Sequence, residues 1–260
     1  MNSDLALQLV LRMDNSTIKL LSCTPLWQSI SPIVSTEYFW YRRTEYLVNS
    51  RLAQRAGRDW KTTYYTLEKC LLEYGRLKFR ENLLEDPLAV EVLLELGIDP
   101  SSIGSYALRH AAEKGYTEVV HLLLQDGRAD PAASDSEALS LASQYGHIEV
   151  VLALLQDGRA DPSVDDSEAL RYASMDGHIE VVHLLLRDGR ADPTAGDSLA
   201  LRYAAVNRHI EVVLALLRDG RADPTSENNT ALRYASTEGH IEVVLALLED
   251  GRADPTMTMH

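Results

Sequence analysis

Between residues 100 and 250 apolar side chains arrive in two short bursts every 31 residues, each burst at helical spacing. In one representative stretch Ala138, Leu139 and Ala142 mark the first burst, and Ile148, Val151, Leu152 and Leu155 mark the second after Gly146-His147. An acceptor side chain, Asp135 or Ser136, stands just ahead of Glu137-Ala138-Leu139, which predicts a capped helix start with a carboxylate in its first turn. Asp157-Gly158 predicts the helix stop, since glycine takes the left-handed conformation that closes a helix. Each period therefore reads as helix, Gly-His turn, helix, and a loop holding Asp-Pro, through which neither helix can run.

The period itself is explicit. Gly127-Arg128-Ala129-Asp130-Pro131 returns at Gly158, Gly189, Gly220 and Gly251, and its Asp-Pro end is already present at Asp99-Pro100. Self-similarity at a fixed period of about 20 to 50 residues predicts a solenoid, in which units that cannot fold alone share one continuous core. The expected fold class is all-α, and stacked repeats offer an extended surface for a partner rather than a catalytic pocket.

The strings Gly-His-Ile-Glu-Val-Val at Gly146, Gly177 and Gly239, each followed by Leu-Leu and Gly-Arg-Ala-Asp, make roughly residues 60–260 similar to ankyrin repeats. Two departures stand out. The family's usual Thr-Pro-Leu-His opening is replaced by Glu137-Ala138-Leu139-Ser140 and Glu168-Ala169-Leu170-Arg171, and the period is 31 residues instead of about 33. The resemblance thus implies an ankyrin-type helical solenoid with trimmed β-fingers or plain loops between units. Arg208 replaces the turn glycine before His209, which strains the chain if that position needs positive φ.

Residues 1–58 do not repeat. A helical stretch from Asp4 to Met13 carries Leu5, Leu9 and Met13 on one side, and Asp14-Asn15-Ser16 caps a second helix with Ile18 and Leu21. Leu9-Val10, Ile18, Leu21, Trp27 and Trp40 match, in order, the apolar and aromatic positions of an F-box, and the segment resembles a degenerate member of that family. The resemblance implies docking onto the Skp adaptor of a cullin-type ubiquitin ligase, although the usual Leu-Pro opening is absent, Leu5 being followed by Ala6. The same segment also reads as a helical cap on the array. F-box-like starts joined to such arrays resemble proteins of large DNA viruses, which implies expression in an infected host cell. Residues 59–98 read as an atypical capping repeat, with Pro87 opening a helix that carries Leu88, Val92 and Leu96, and residues 99–260 as five repeats and a short tail.

Charge and cysteine content change the picture in two ways. Residues 1–98 hold twelve basic and twelve acidic side chains, so the array, with thirteen basic and 27 acidic, carries the entire net charge of −14. Such an array repels nucleic acid. It is either a solvated face or a groove that selects a basic partner. Cys23 and Cys70 show no paired spacing, and Leu5–Leu11 is too short for a membrane span, which places the chain in the cytoplasm or nucleus with neither membrane nor nucleic acid among its partners.

Nothing points to an enzyme or to a cofactor or metal. The turn histidines His147, His178, His209 and His240 lie one unit, about 8–10 Å, apart. That is too far for two ligands each about 2 Å from one zinc ion. They are expected to stabilise the turns. The regular arginines, Arg109, Arg171, Arg202 and Arg233 and those of the Gly-Arg-Ala-Asp phrase, are expected to pair with nearby carboxylates. Binding is expected where the units disagree, just before each Gly-His turn: Glu113 and Lys114, Gln144 and Tyr145, Met175 and Asp176, Val206 and Asn207, Thr237 and Glu238. Drift at exposed sites would leave the same pattern. Tyr145 beside Met175 in mid-array is the expected anchor.

Overall fold

The computed structural model describes residues 84–95 and 99–253. The chain divides into two compact units, Met1–Lys78 with Asp86–Ile98, and Phe79–Glu85 with Asp99–His260. In the first, the described element is helix α1, Pro87–Glu95. The F-box-like positions Leu9, Val10, Ile18, Leu21, Trp27 and Trp40 lie outside the described residues, as do the start of the capping repeat and the tail 254–260.

The second unit is a stack of helix pairs: α2 (Ser102–Lys114) and α3 (Thr117–Asp126), α4 (Ala133–Gln144) and α5 (Ile148–Asp157), α6 (Val164–Asp176) and α7 (Ile179–Asp188), α8 (Ala195–Val206) and α9 (Ile210–Asp219), α10 (Ser226–Thr237) and α11 (Ile241–Asp250). First helices stack on first helices and second on second. Among the described residues there is no strand, and the fold is a helical solenoid. Its core consists of two leucine columns without solvent exposure. Leu108, Leu139, Leu170 and Leu201 lie on the first helices, and Leu123, Leu154, Leu185 and Leu216 on the second. Each contributes on the order of 1.5–3 kcal/mol over an exposed leucine. Between successive first helices the matching positions are Ala112, Ser143, Ser174 and Ala205, all buried, whose small side chains leave room for the helices to stack.

Of the two forms expected between units, trimmed β-fingers or plain loops, the described residues take plain loops. After each buried proline the chain makes a left-handed turn of three residues, at Ser134–Ser136, Asp165–Ser167, Gly196–Ser198 and Glu227–Asn229, with φ between 46° and 57°. Ser, Asp, Asn, Gly and one glutamate, Glu227, fill these places, and Asp, Asn and Gly are the residues that enter the left-handed region most readily. The expected helix cap at Asp135 or Ser136 is corrected. No side chain caps this helix. The Ser136 hydroxyl is buried and accepts the amide of Asp161, one unit on, at 2.9 Å. Ser105, Ser167 and Ser198 accept the amides of Asp130, Asp192 and Asp223 in the same way, at 2.7–2.8 Å.

Two further joints link neighbouring units. Three of the four turn histidines reach back beneath the glycine of the preceding unit: His147 Nε2 lies 2.9 Å from the Glu113 carbonyl, His178 Nε2 2.8 Å from the Gln144 carbonyl, and His209 Nε2 2.9 Å from the Met175 carbonyl. A carbonyl only accepts, so Nε2 carries the proton in each case. The arginines of the Gly-Arg-Ala-Asp phrase do more than pair with a carboxylate. Arg159 grips Asp157 through Nε and Nη2 at 2.7 and 2.8 Å, and its Nη atoms donate to the Leu124, Gly127 and Ala129 carbonyls, which end the second helix of the unit before. A guanidinium there satisfies orphan carbonyls and opposes the negative end of the helix dipole. Arg190 and Arg252 repeat the arrangement one and three units on.

These clamps predict an acid limit to stability. Hydrogen bonds from Arg128, Arg159, Arg190, Arg221 and Arg252 hold Asp126, Asp157, Asp188, Asp219 and Asp250 below the ordinary value of 3.8. Bonds from Ser163, Thr194 and Thr225 do the same for Asp161, Asp192 and Asp223. Unfolded, these groups bind a proton more readily than folded, so their contribution is complete above the unfolded pKa and vanishes as pH falls through the folded one. The melting midpoint, followed by circular dichroism, is expected to hold from neutrality to about pH 5 and to drop steeply below about pH 4. A decline beginning between neutrality and about pH 5 would contradict this assignment.

Candidate protein-binding face

The joints use one side of every turn and loop; the outward side of the first helices is left over. In α4 the residues facing the core are Ala138, Leu139, Ala142 and Ser143, while Glu137, Leu141, Gln144 and Tyr145 reach solvent. The same register repeats in α2, α6, α8 and α10 except that His110 of α2 and Thr230 of α10 are buried, so the outward positions form rows along the array.

The candidate residues before the Gly-His turns make up one such pair of rows. Glu113, Gln144, Met175 and Val206 are half-buried and Thr237 is exposed; Lys114, Tyr145, Asp176, Asn207 and Glu238 are all exposed. Several are tied down. Lys114 Nζ donates to Glu113 at 2.7 Å, which raises the lysine pKa. Asn207 Nδ2 donates to the Met175 carbonyl at 2.8 Å, and the Thr237 hydroxyl donates to the Arg233 backbone carbonyl at 2.9 Å. Tyr145 is 51% exposed and its ring stacks on His147 at 6.3 Å, which holds the aromatic face outward.

One row of this face was missed by reasoning from disagreement between units. His110, Leu141, Tyr172, Tyr203 and Tyr234 occupy one column; Tyr172 and Tyr203 are half-buried and Tyr234 is 47% exposed. The adjacent column is the regular arginine ladder. Arg109 pairs with Glu137 of the next unit, Arg171 with Glu168 at 3.1 Å, and Arg202 with Glu227 at 3.1 Å. The Arg171 guanidinium lies 4.6 Å from the Tyr172 ring centre, and Arg233 lies 5.4 Å from Tyr234. The signal was present at the 31-residue period as Tyr172, Tyr203 and Tyr234, which follow His110 and Leu141 in the same column.

Electrostatically the face differs from the rest of the array. Its outward columns hold five cations, Arg109, Lys114, Arg171, Arg202 and Arg233, and five anions, Glu113, Glu137, Glu168, Asp176 and Glu238. The net charge of −14 therefore resides on the loops and second helices. Among the described residues no group of His, Cys, Asp and Glu is arranged to hold a metal ion, and no helix is long and apolar enough to cross a membrane.

No curated protein matches this sequence. The family model of ankyrin repeats, three copies to a match, fits residues 82–166, 108–197, 139–228 and 170–259. These windows follow the helix pairs described above and span well over half of the 260 residues, so the chain belongs to the ankyrin repeat family.

Proposed function

We propose that this protein–protein interaction module recruits a target protein along its first-helix face and delivers it to a cullin-type ubiquitin ligase through residues 1–58. The observation that carries the first half is the outward face itself: an aromatic column beside a variable column, on a long surface that the inter-unit joints leave open. Aromatic residues near the centre of an interface are where binding energy concentrates. The second half rests on the F-box-like order of Leu9, Val10, Ile18, Leu21, Trp27 and Trp40. The reading assigns no catalytic step, cofactor, membrane or nucleic acid to the chain, and places it in the cytoplasm or nucleus of an infected host cell.

Two expected outcomes test the halves separately. Tyr145→Ala with Met175→Ala is expected to weaken target binding by about 2 kcal/mol or more, the size of a hot spot. Gln156→Ala with Arg187→Ala, both on the exposed side of second helices, is expected to leave it unchanged; titration calorimetry with the captured target decides, and the reverse pattern would put the site on the other face. Replacing Leu9 and Val10 together by Asp is expected to abolish co-purification of the Skp adaptor while target capture persists. Absence of adaptor from the wild-type chain at about micromolar concentration, a weak affinity of about −8 kcal/mol, would reduce the module to a scaffold or sequestering binder.

A further inference from the structure

We propose that the occupant of the first-helix face is a basic amphipathic helix, its apolar side on Tyr172, Tyr203 and Tyr234 and its cationic side toward the loop edge. The proposal rests on the reading of this face as the docking surface and names the chemistry of what docks.

Three observations carry it. The tyrosine column gives the face one apolar line that runs across the first helices, half-buried at Tyr172 and Tyr203 and open at Tyr234. Stacked units advance by about 8–10 Å, and one heptad of an α-helix advances by about 10.5 Å. A helix laid along the array therefore presents one apolar residue per tyrosine. Second, the border of this face is of one sign. The four stretches that lead into first helices, 130–137, 161–168, 192–199 and 223–230, contain no Lys or Arg and eleven Asp and Glu, of which eight remain once Glu137, Glu168 and Glu227, the partners of the face arginines, are set aside. Four of the five cations of the face are already paired with a glutamate, Arg109, Lys114, Arg171 and Arg202, and only Arg233 is left to oppose a basic partner.

Third, part of the border charge is surplus to the fold. Asp135, Asp166 and Asp197 hold the middle of the left-handed turn at φ 55°, 53° and 57°; Asn228 holds the same place in the next unit at φ 57°. All four are exposed. An amide meets the backbone requirement there as well as a carboxylate, so the three negative charges are free to serve complementarity with a partner.

The test uses the full chain and two labelled synthetic helical peptides of about 18 residues, five turns. Both carry Leu and Phe at heptad spacing; one has Lys on its polar side and its twin has Glu. By fluorescence anisotropy the Lys peptide is expected to bind and the Glu twin not. Asp135→Asn, Asp166→Asn and Asp197→Asn together are expected to weaken the Lys peptide about tenfold at low salt. The melting midpoint is expected to stay unchanged, as Asn228 already shows the turn to accept asparagine. Tyr172→Ala with Tyr203→Ala is expected to weaken it at least as much. Binding of both peptides alike, of neither, or of the Lys peptide with no loss in the tyrosine pair would overturn the proposal, the last outcome marking mere adsorption to surface charge. Survival of Tyr145- and Met175-dependent target capture in that event would leave the docking face standing and remove only the chemistry assigned to its partner.

Discussion

Leu170→Asp is expected to lower the array's stability by several kcal/mol and to break its single cooperative melt. Leu170 sits on α6, in the third of five helix pairs, with no solvent exposure. A carboxylate there would sit fully buried in the leucine column, and burying an unpaired charge is among the most destabilising changes available to a protein. The damage propagates because a solenoid unit is stabilised by its neighbours more than by itself. Loss of the third pair uncouples the pairs on either side of it, so they no longer melt together. Urea and thermal melts should therefore show a lower, broader transition, with helical signal from part of the array persisting beyond it. One sharp transition at the wild-type midpoint would mean that this helix face does not point into the core.

The second large effect concerns the joint between glycine and histidine, where the chain contains its own control. A Cβ placed on Gly115, Gly146 or Gly177 would lie 2.5–2.6 Å from the ring of the histidine one unit on, and all three glycines have positive φ. Gly146→Ala thus forces a left-handed alanine and displaces His178 from the Gln144 carbonyl. About 1–2 kcal/mol for the backbone and about 1 kcal/mol for the hydrogen bond give an expected loss of about 2–3 kcal/mol. At the fourth joint the substitution has already happened. Arg208 stands in the glycine's place at φ 64°, and His240 no longer reaches the equivalent Val206 carbonyl through Nε2; its Nδ1 lies 3.2 Å from Ala205 instead. Arg208→Gly is expected to raise stability by about 1 kcal/mol and to return His240 to the geometry of the other three. Denaturant melts of the two variants measure both signs; an Arg208→Gly chain less stable than wild type would show that the arginine contributes a contact worth more than the strain it causes.

The electrostatic reading changed most between sequence and structure. Counting charges gave an acidic array and left open a solvated surface or a basic-selective groove. The structure divides the charge: carboxylates gather at the loops and second helices, five of them gripped by the phrase arginines, and the first-helix face is balanced and aromatic. Net charge is a sum over the chain and carries no direction, so a face of opposite character is invisible to it.

Local chemistry is what the sequence alone determined. The 31-residue period, the two helices per unit, the glycine stops at Gly127, Gly158, Gly189, Gly220 and Gly251, and the strain at Arg208 all follow from residue-level preferences. Helical periodicity, the freedom of glycine at positive φ and the missing amide of proline act over a few residues and need no tertiary context. Tertiary structure alone decided what the polar residues are for. Ser136 has the composition of a helix cap and serves as an acceptor for Asp161; Arg159 looks like half of a surface ion pair and closes the helix before it; Tyr172, Tyr203 and Tyr234 line the open face. Each of these bonds or exposures depends on a neighbour about thirty residues away, and a hydroxyl or guanidinium takes whichever partner the stacking of units brings within about 3 Å.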